Sequence, residues 1–211
     1  ILAAVVACHV AVVCSGRIPG ILTRGDDGGY IALGQALSHG SYRELWRADA
    51  PVHSQYPPGY PALLALWAAV AGPSQTARMV LSVLISVATL LVLHSAIRRR
   101  LGATIALASV IVLAINPFIV RYSGDVASEI PYTFLSVVCL YGLIRWEDER
   151  GHRGGTSAWL VIAIAAMLGA ALTRTVGIAL IAAVVLWLLL ERRWRIAAIV
   201  SLAAAATFGV W

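Results

Sequence analysis

The 211-residue chain is 60% hydrophobic and only 12% charged, which removes it from the ordinary soluble domains and points to a polytopic, all-α integral membrane protein. Its net charge is +6, but the sixteen basic residues, all arginine, stand in short clusters between apolar runs. That distribution fits membrane topology and sets nucleic acid aside as a partner; the lipid bilayer takes its place.

The first apolar run, residues 1–15, has no basic segment before it and several runs after it, so it reads as a transmembrane helix and not as a signal-peptide core. Further spans are expected at 79–97, 103–120, 130–145, 157–173, 175–190 and 196–211, about seven in all. The chain begins at Ile1 and stops at Trp211 within an apolar run, so 1–211 is read as the N-terminal part of one membrane domain in a longer protein. Cys8, Cys14 and Cys139 lie in apolar runs with neither metal-site nor disulfide spacing, and are read as packing residues.

One apolar run, 59–72 ("GYPALLALWAAVAG"), is short, follows a Pro-Pro pair and contains Pro61. Arginine placement argues against its crossing. Arg98 to Arg100, the loop from Arg145 to Arg153, and Arg192, Arg193 and Arg195 all belong on the cytoplasmic side, and two spans separate each successive pair of clusters. This puts 16–78, 121–129 and 173–176 outside, with 59–72 an interfacial or re-entrant helix within the first external loop. That loop also holds an amphipathic segment, with Tyr30, Leu33 and Leu37 on one face and Gly40 as its stop.

None of the ten carboxylates falls at the middle of a span, whereas an ion-coupled transporter usually carries ionisable groups there. Six are external: Asp26, Asp27, Glu44, Asp49, Asp125 and Glu129. Glu44 and Asp49 alternate with Arg43 and Arg47 and read as solvated loop charges. Asp26 and Asp27, before Gly28 and Gly29, suit either a helix-capping turn or a functional pair.

Five segments occur in order at loops assigned to one side: "GDDGGYIALGQALSHG", "SQYPPGYPALLALW", "TARMVLSVL", "RYSGDVASEIPYTFLSVVCLYGL" and "LTRTVGIAL". The series resembles the GT-C glycosyltransferases, in particular the branch of protein O-mannosyltransferases and bacterial lipid A aminoarabinose transferases. "DDGGY" matches that family's acidic pair with a following tyrosine, with Asp27 where Glu is commoner; Pro57, Pro58 and Tyr60 match its Pro-Pro-x-Tyr segment; Glu129 matches a later external acid.

The resemblance implies transfer of a sugar from a polyprenyl-phosphate donor to an acceptor at the outer face of the bacterial inner membrane, with inversion. Asp26 would be the general base, Asp27 would orient it or bind sugar hydroxyls, and Glu129 would hold donor or acceptor. The residue chemistry agrees, because a hydroxyl nucleophile needs a carboxylate within hydrogen-bond reach. An anionic leaving group needs cations in a poorly hydrated site. Arg174, Arg121 and Arg78 stand at external span ends for that role, with membrane snorkelling as the alternative for Arg174. His53, Tyr60 and Asp125 would complete the substrate-binding set, with a solvated loop histidine as the alternative for His53. No metal-ligand motif is present and the need for a divalent cation stays open, as does whether the acceptor is a glycan, lipid or protein. A nucleotide-sugar enzyme is disfavoured because the acids are adjacent and not spaced Asp-x-Asp. The rival functions are a transporter or flippase of lipid-linked sugars, which needs the arginines but no base, and a non-catalytic membrane scaffold.

Overall fold

A computed structural model describes residues 1–16, 26–150 and 158–209. Residues 17–25, the end of the 145–153 basic loop, position 157 and positions 210–211 lie outside the described residues. Ten helices follow one another: α1 Leu2–Ser15, α2 Asp26–Ser38, α3 Gly59–Ala71, α4 Gln75–Leu101, α5 Ala103–Ala114, α6 Pro117–Ser123, α7 Glu129–Arg150, α8 Ala158–Thr173, α9 Gly177–Leu190 and α10 Trp194–Gly209. Among the described residues the β-structure is a single antiparallel bridge, Arg43 with Val52.

Each of the seven apolar runs is helical, but the run at 103–120 is broken. Asn116 ends α5 and caps α6: its Oδ1 accepts from the amides of Phe118 (3.0 Å) and Ile119 (3.3 Å), and Pro117 occupies the first helical position, where its missing N–H costs nothing. The two pieces meet at a 65° bend. By length and composition α4 is the one described helix able to cross a bilayer alone, and α5 with α6 make a second segment if the bent pair is taken together; α1, α3, α8, α9 and α10 are apolar but shorter.

The two longest helices, α4 and α7, run in the same direction, which gives the bundle two chemically distinct ends. Arg98, Arg99 and Arg100 occupy the last turn of α4, where cations complement the helix dipole. Arg99 and Arg100 both reach Asp148 near the end of α7, at 3.0 and 3.3 Å. Arg193, before α10, pairs with Glu147. These contacts define an arginine-rich end. The opposite end holds the start of α4, the start of α7 and the α8–α9 turn.

Across that opposite end lies α3. Its first residue, Gly59, packs so tightly on α8 that a Cβ there would stand 2.6 Å from the Leu172 carbonyl oxygen, so only glycine permits the approach. Near its other end the Trp67 indole N–H donates to the Ala77 carbonyl in the first turn of α4, at 2.7 Å. Both ends of α3 therefore touch the same end of the bundle, and the helix does not traverse it. Tyr30, Tyr60, Leu64, Leu81 and Val126 form the apolar cluster that seats α2 and α3. A larger core of α7 to α10 is centred on Trp146, Met167, Leu188 and Val200. On the other flank Leu90, Val110 and Ala114 join α4 to α5. There the buried His9 links three helices, with Nδ1 2.8 Å from the Ala114 carbonyl and Nε2 3.2 Å from Ser86 Oγ.

Candidate active site

Asp26 and Asp27 form the first turn of α2, where the unpaired amides and the helix dipole favour negative charge. Asp27 is buried and accepts from the Gly28 amide at 3.0 Å. Asp26 is exposed, and one of its oxygens accepts a hydrogen bond from the Tyr56 hydroxyl at 2.7 Å. One turn further along α2, Tyr30 stacks on Tyr56 (4.7 Å between ring centroids) and meets Tyr60 edge-on (5.0 Å). The Tyr42 hydroxyl donates to the Tyr56 carbonyl at 2.7 Å, which fixes the segment before Pro57.

The facing wall comes from α7 and the α8–α9 turn. Glu129 opens α7, and its Oε1 lies 2.5 Å from one terminal nitrogen of Arg174. The same nitrogen donates to Ser128 Oγ at 3.3 Å, and that hydroxyl is 3.0 Å from the Tyr30 hydroxyl. A chain of polar contacts thus runs from α2 through Ser128 to Arg174. It borders a cavity of about 230 Å³ lined by Asp26, Asp27, Tyr30, Tyr122, Asp125, Ser128, Glu129 and Arg174, with Val126 and Ala127.

Burial works against the Arg174 charge, but the hydrogen bond and charge of Glu129 outweigh it and raise the guanidinium further above neutrality. Burial is also the main reason that the Tyr30 hydroxyl is raised, against the opposing effect of its bond to Ser128. Burial, then the hydrogen bond to Asp26, push the Tyr56 hydroxyl up to about 12, so it remains a donor at any physiological pH.

Five of the residues singled out from sequence thus line one cavity: Asp26, Asp27, Asp125, Glu129 and Arg174. The other four do not. Tyr60 is fully buried in the aromatic cluster beneath it. Arg78 is buried in the first turn of α4. Arg121, on α6, is exposed outside the cavity. His53 is buried, with Nδ1 3.0 Å from Glu44 Oε1 and Nε2 accepting from the Tyr56 amide at 2.9 Å; that amide donor leaves the proton on Nδ1. Tyr56 and Ser128 were missed. The sequence signal for each was adjacency, to the Pro-Pro pair and to Glu129. Among the described residues no group of three His, Cys, Asp or Glu side chains is placed to hold a metal ion.

The sequence profile of the dolichyl-phosphate-mannose-protein mannosyltransferases matches residues 55–211, well over half of the chain. The chain belongs to that family. Within this mannosyltransferase-family chain the match takes in Tyr56, Glu129 and Arg174 but begins after the acidic pair. The structural likeness extends over both parts. The crystal structure of ArnT from Cupriavidus metallidurans bound to undecaprenyl phosphate matches with a TM-score of 0.72 over 99% of this chain and 40% of that one, at 21% identity. The likeness establishes a shared helical fold, and the chain spans well under half the length of ArnT. No curated protein matches it.

Proposed function

We propose that the protein is a membrane glycosyltransferase that moves a sugar from a polyprenyl-phosphate donor to an acceptor hydroxyl at the outer face of the bacterial inner membrane. The observation that carries this reading is the meeting of Asp26, Glu129 and Arg174, distant in sequence, around one cavity at the end of the bundle opposite the arginine clusters. Family membership and the fold shared with a polyprenyl-phosphate-bound protein support it. The arginine-rich end is then cytoplasmic, the seven helical runs are the crossings, and 16–78 is a single external segment.

In this reading Asp26 is the general base. Tyr56 holds one carboxylate oxygen, leaving the other to take the proton of the acceptor hydroxyl. As that proton moves, the acceptor oxygen bonds to the anomeric carbon from the face opposite the phosphate, and the carbon–phosphate oxygen bond breaks with its electron pair leaving on the phosphate. The sugar is inverted. Asp27, buried behind Asp26, keeps the first turn of α2 in place.

Arg174 receives the departing phosphate. Its contacts to Glu129 and Ser128 use one terminal nitrogen, and a guanidinium carries five N–H donors, so Nε and the second terminal nitrogen can meet phosphate oxygens as a planar fork. Asp125 and Glu129 border the same space and serve as partners for sugar hydroxyls. The test is a transfer assay on full-length protein in membranes, with a panel of radiolabelled polyprenyl-phosphate sugars. Product that depends on Asp26 supports the enzyme; donor movement across the bilayer without product would give the site to a flippase.

A further inference from the structure

Behind the tyrosine that holds Asp26 lies a second cavity, larger than the first at about 480 Å³. It is lined by Gly28, Gly29 and Ala32 of α2 and by Glu44, Trp46, His53, Gln55 and Tyr56 of the loop before α3. Its volume is within the roughly 300–1,000 Å³ of small-ligand pockets. Nothing in the sugar-transfer reading uses it, yet Tyr56 connects the two cavities, since it lines this one and its hydroxyl donates to Asp26 of the other.

The chemistry of the lining is selective. Trp46 keeps half of its surface exposed although it lies beside His53, 6.0 Å between ring centroids, so an apolar platform stays open at the groove wall. Gly28 and Gly29 leave the floor without side chains. Gln55 offers both a donor and an acceptor. Among the described residues no guanidinium lines the groove. Arg47 is turned to Asp49 through two hydrogen bonds of 3.1 Å, and Arg43 donates to the Ala50 carbonyl. A phosphate or carboxylate would find no cation among these lining residues and would face Glu44. Glu44 in turn is engaged by His53 and lies 3.6 Å from Arg47, so a cation gains little. The remaining ligand is a neutral polyol with one apolar face.

We infer that this groove is the acceptor subsite and that it takes a neutral saccharide, its C–H face on Trp46 and its hydroxyls on Gln55 and Glu44. The inference rests on the transferase reading and deepens it by naming the acceptor class. His53 is a positioning residue: with one nitrogen on Glu44 and the other on the Tyr56 amide, it sets the groove wall relative to Asp26.

The test is saturation-transfer NMR on the full-length protein in nanodiscs. The probes are the methyl glycosides of mannose, glucose, galactose and arabinose, with glucose 1-phosphate and an acetylated serine- and threonine-containing tetrapeptide as comparators. At least one methyl glycoside should show transfer to its ring C–H protons, and neither comparator should. Trp46→Ala should weaken that glycoside about three- to tenfold, in keeping with the usual worth of an aromatic contact, while Trp46→Phe keeps most of the affinity. Because Trp46 is half-exposed, unchanged thermal unfolding of the Ala variant serves as the folding control. No glycoside binding by the wild type, an unchanged affinity in Trp46→Ala, or preferential binding of the tetrapeptide or the phosphate each overturns the inference. Asp26→Asn should leave glycoside binding intact. If it also leaves transfer intact while Trp46→Ala loses the glycoside, the general-base reading fails and the groove stands.

Discussion

At the arginine-rich end, Arg193 lies between two indoles, its guanidinium carbon 4.7 Å from the Trp146 ring and 5.1 Å from that of Trp187, and it is paired with Glu147. Arg145 covers Trp159 at 4.3 Å, donates to the Tyr141 hydroxyl and faces Glu149. The other end is assembled from the same residue types, arginine, carboxylate and aromatic rings. There, however, Arg174 contacts Glu129 and Ser128 through a single nitrogen, Asp26 is open to solvent, and the groups surround empty volume. Composition does not separate a structural clamp from a reactive site. What separates them is that Arg193 is closed in by two rings and Glu147, whereas Asp26, Glu129 and Arg174 face a cavity.

Exchanging carboxylate for amide at the two ends should break the comparison most sharply. Asp26→Asn is expected to lower turnover by about 10²- to 10⁴-fold with unfolding unchanged, the usual cost of a lost general base. Glu147→Gln should do the reverse, leaving turnover intact and lowering the unfolding temperature. Equal turnover in Asp26→Asn and wild type, with chemistry shown to be rate-limiting, would end the base assignment.

The arginines come next. Arg174→Ala should weaken competition by polyprenyl phosphate by about 1.5–3 kcal/mol, the range for hydrogen bonds to charged groups, and Arg174→Lys should fall between Ala and wild type because ammonium has no planar fork. Identical affinities in all three proteins would return Arg174 to lipid-headgroup snorkelling. Arg193→Lys, by contrast, should cost about 1 kcal/mol of stability through the lost stacking and leave donor affinity alone, as read by thermal unfolding beside the same competition assay.

The smallest effect expected is that of Tyr56→Phe, a few-fold loss of turnover from one missing hydrogen bond of about 1 kcal/mol. The substitution also carries a pH signature. The hydroxyl rises from an ordinary value near 10 to about 12 in the folded protein, so its stabilising contribution is complete below pH 10 and is lost as pH climbs through 12. The gap in unfolding temperature between wild type and Tyr56→Phe should therefore be constant up to pH 10 and narrow above it; a constant gap throughout would remove the hydroxyl from this role.

Much of this contrast was legible in the sequence, because arginine clusters and acid-bearing loops fall alternately between the apolar runs. That alternation alone placed Asp26, Asp125, Glu129 and Arg174 on one side. That they meet is not legible in the sequence, since Asp26 and Glu129 are brought to one cavity only by folding. What escaped notice was of two kinds. The break at Asn116 carries a readable signal, an asparagine cap followed by proline, but hydropathy passes over it because the flanking residues are uniformly apolar. Tyr56 and Ser128 carry no spacing signal, since a hydroxyl that supports a charged group is placed by tertiary packing and not by periodicity. Distance along the chain likewise hid that Arg78 and Tyr60 are drawn into the packing beneath the cavity.

The contact between Glu129 and Arg174 also joins opposite poles of two antiparallel neighbours. Glu129 stands in the first turn of α7, where the backbone dipole is positive, and Arg174 directly follows α8, where it is negative. Each residue is stabilised at its own pole by about 0.3–1 kcal/mol even without the other. On the transferase reading a phosphate meets the donors of Arg174 that this contact leaves over, so neither residue has to leave its pole. The contact therefore ties the start of α7 to the end of α8 with each charge at the pole that suits it.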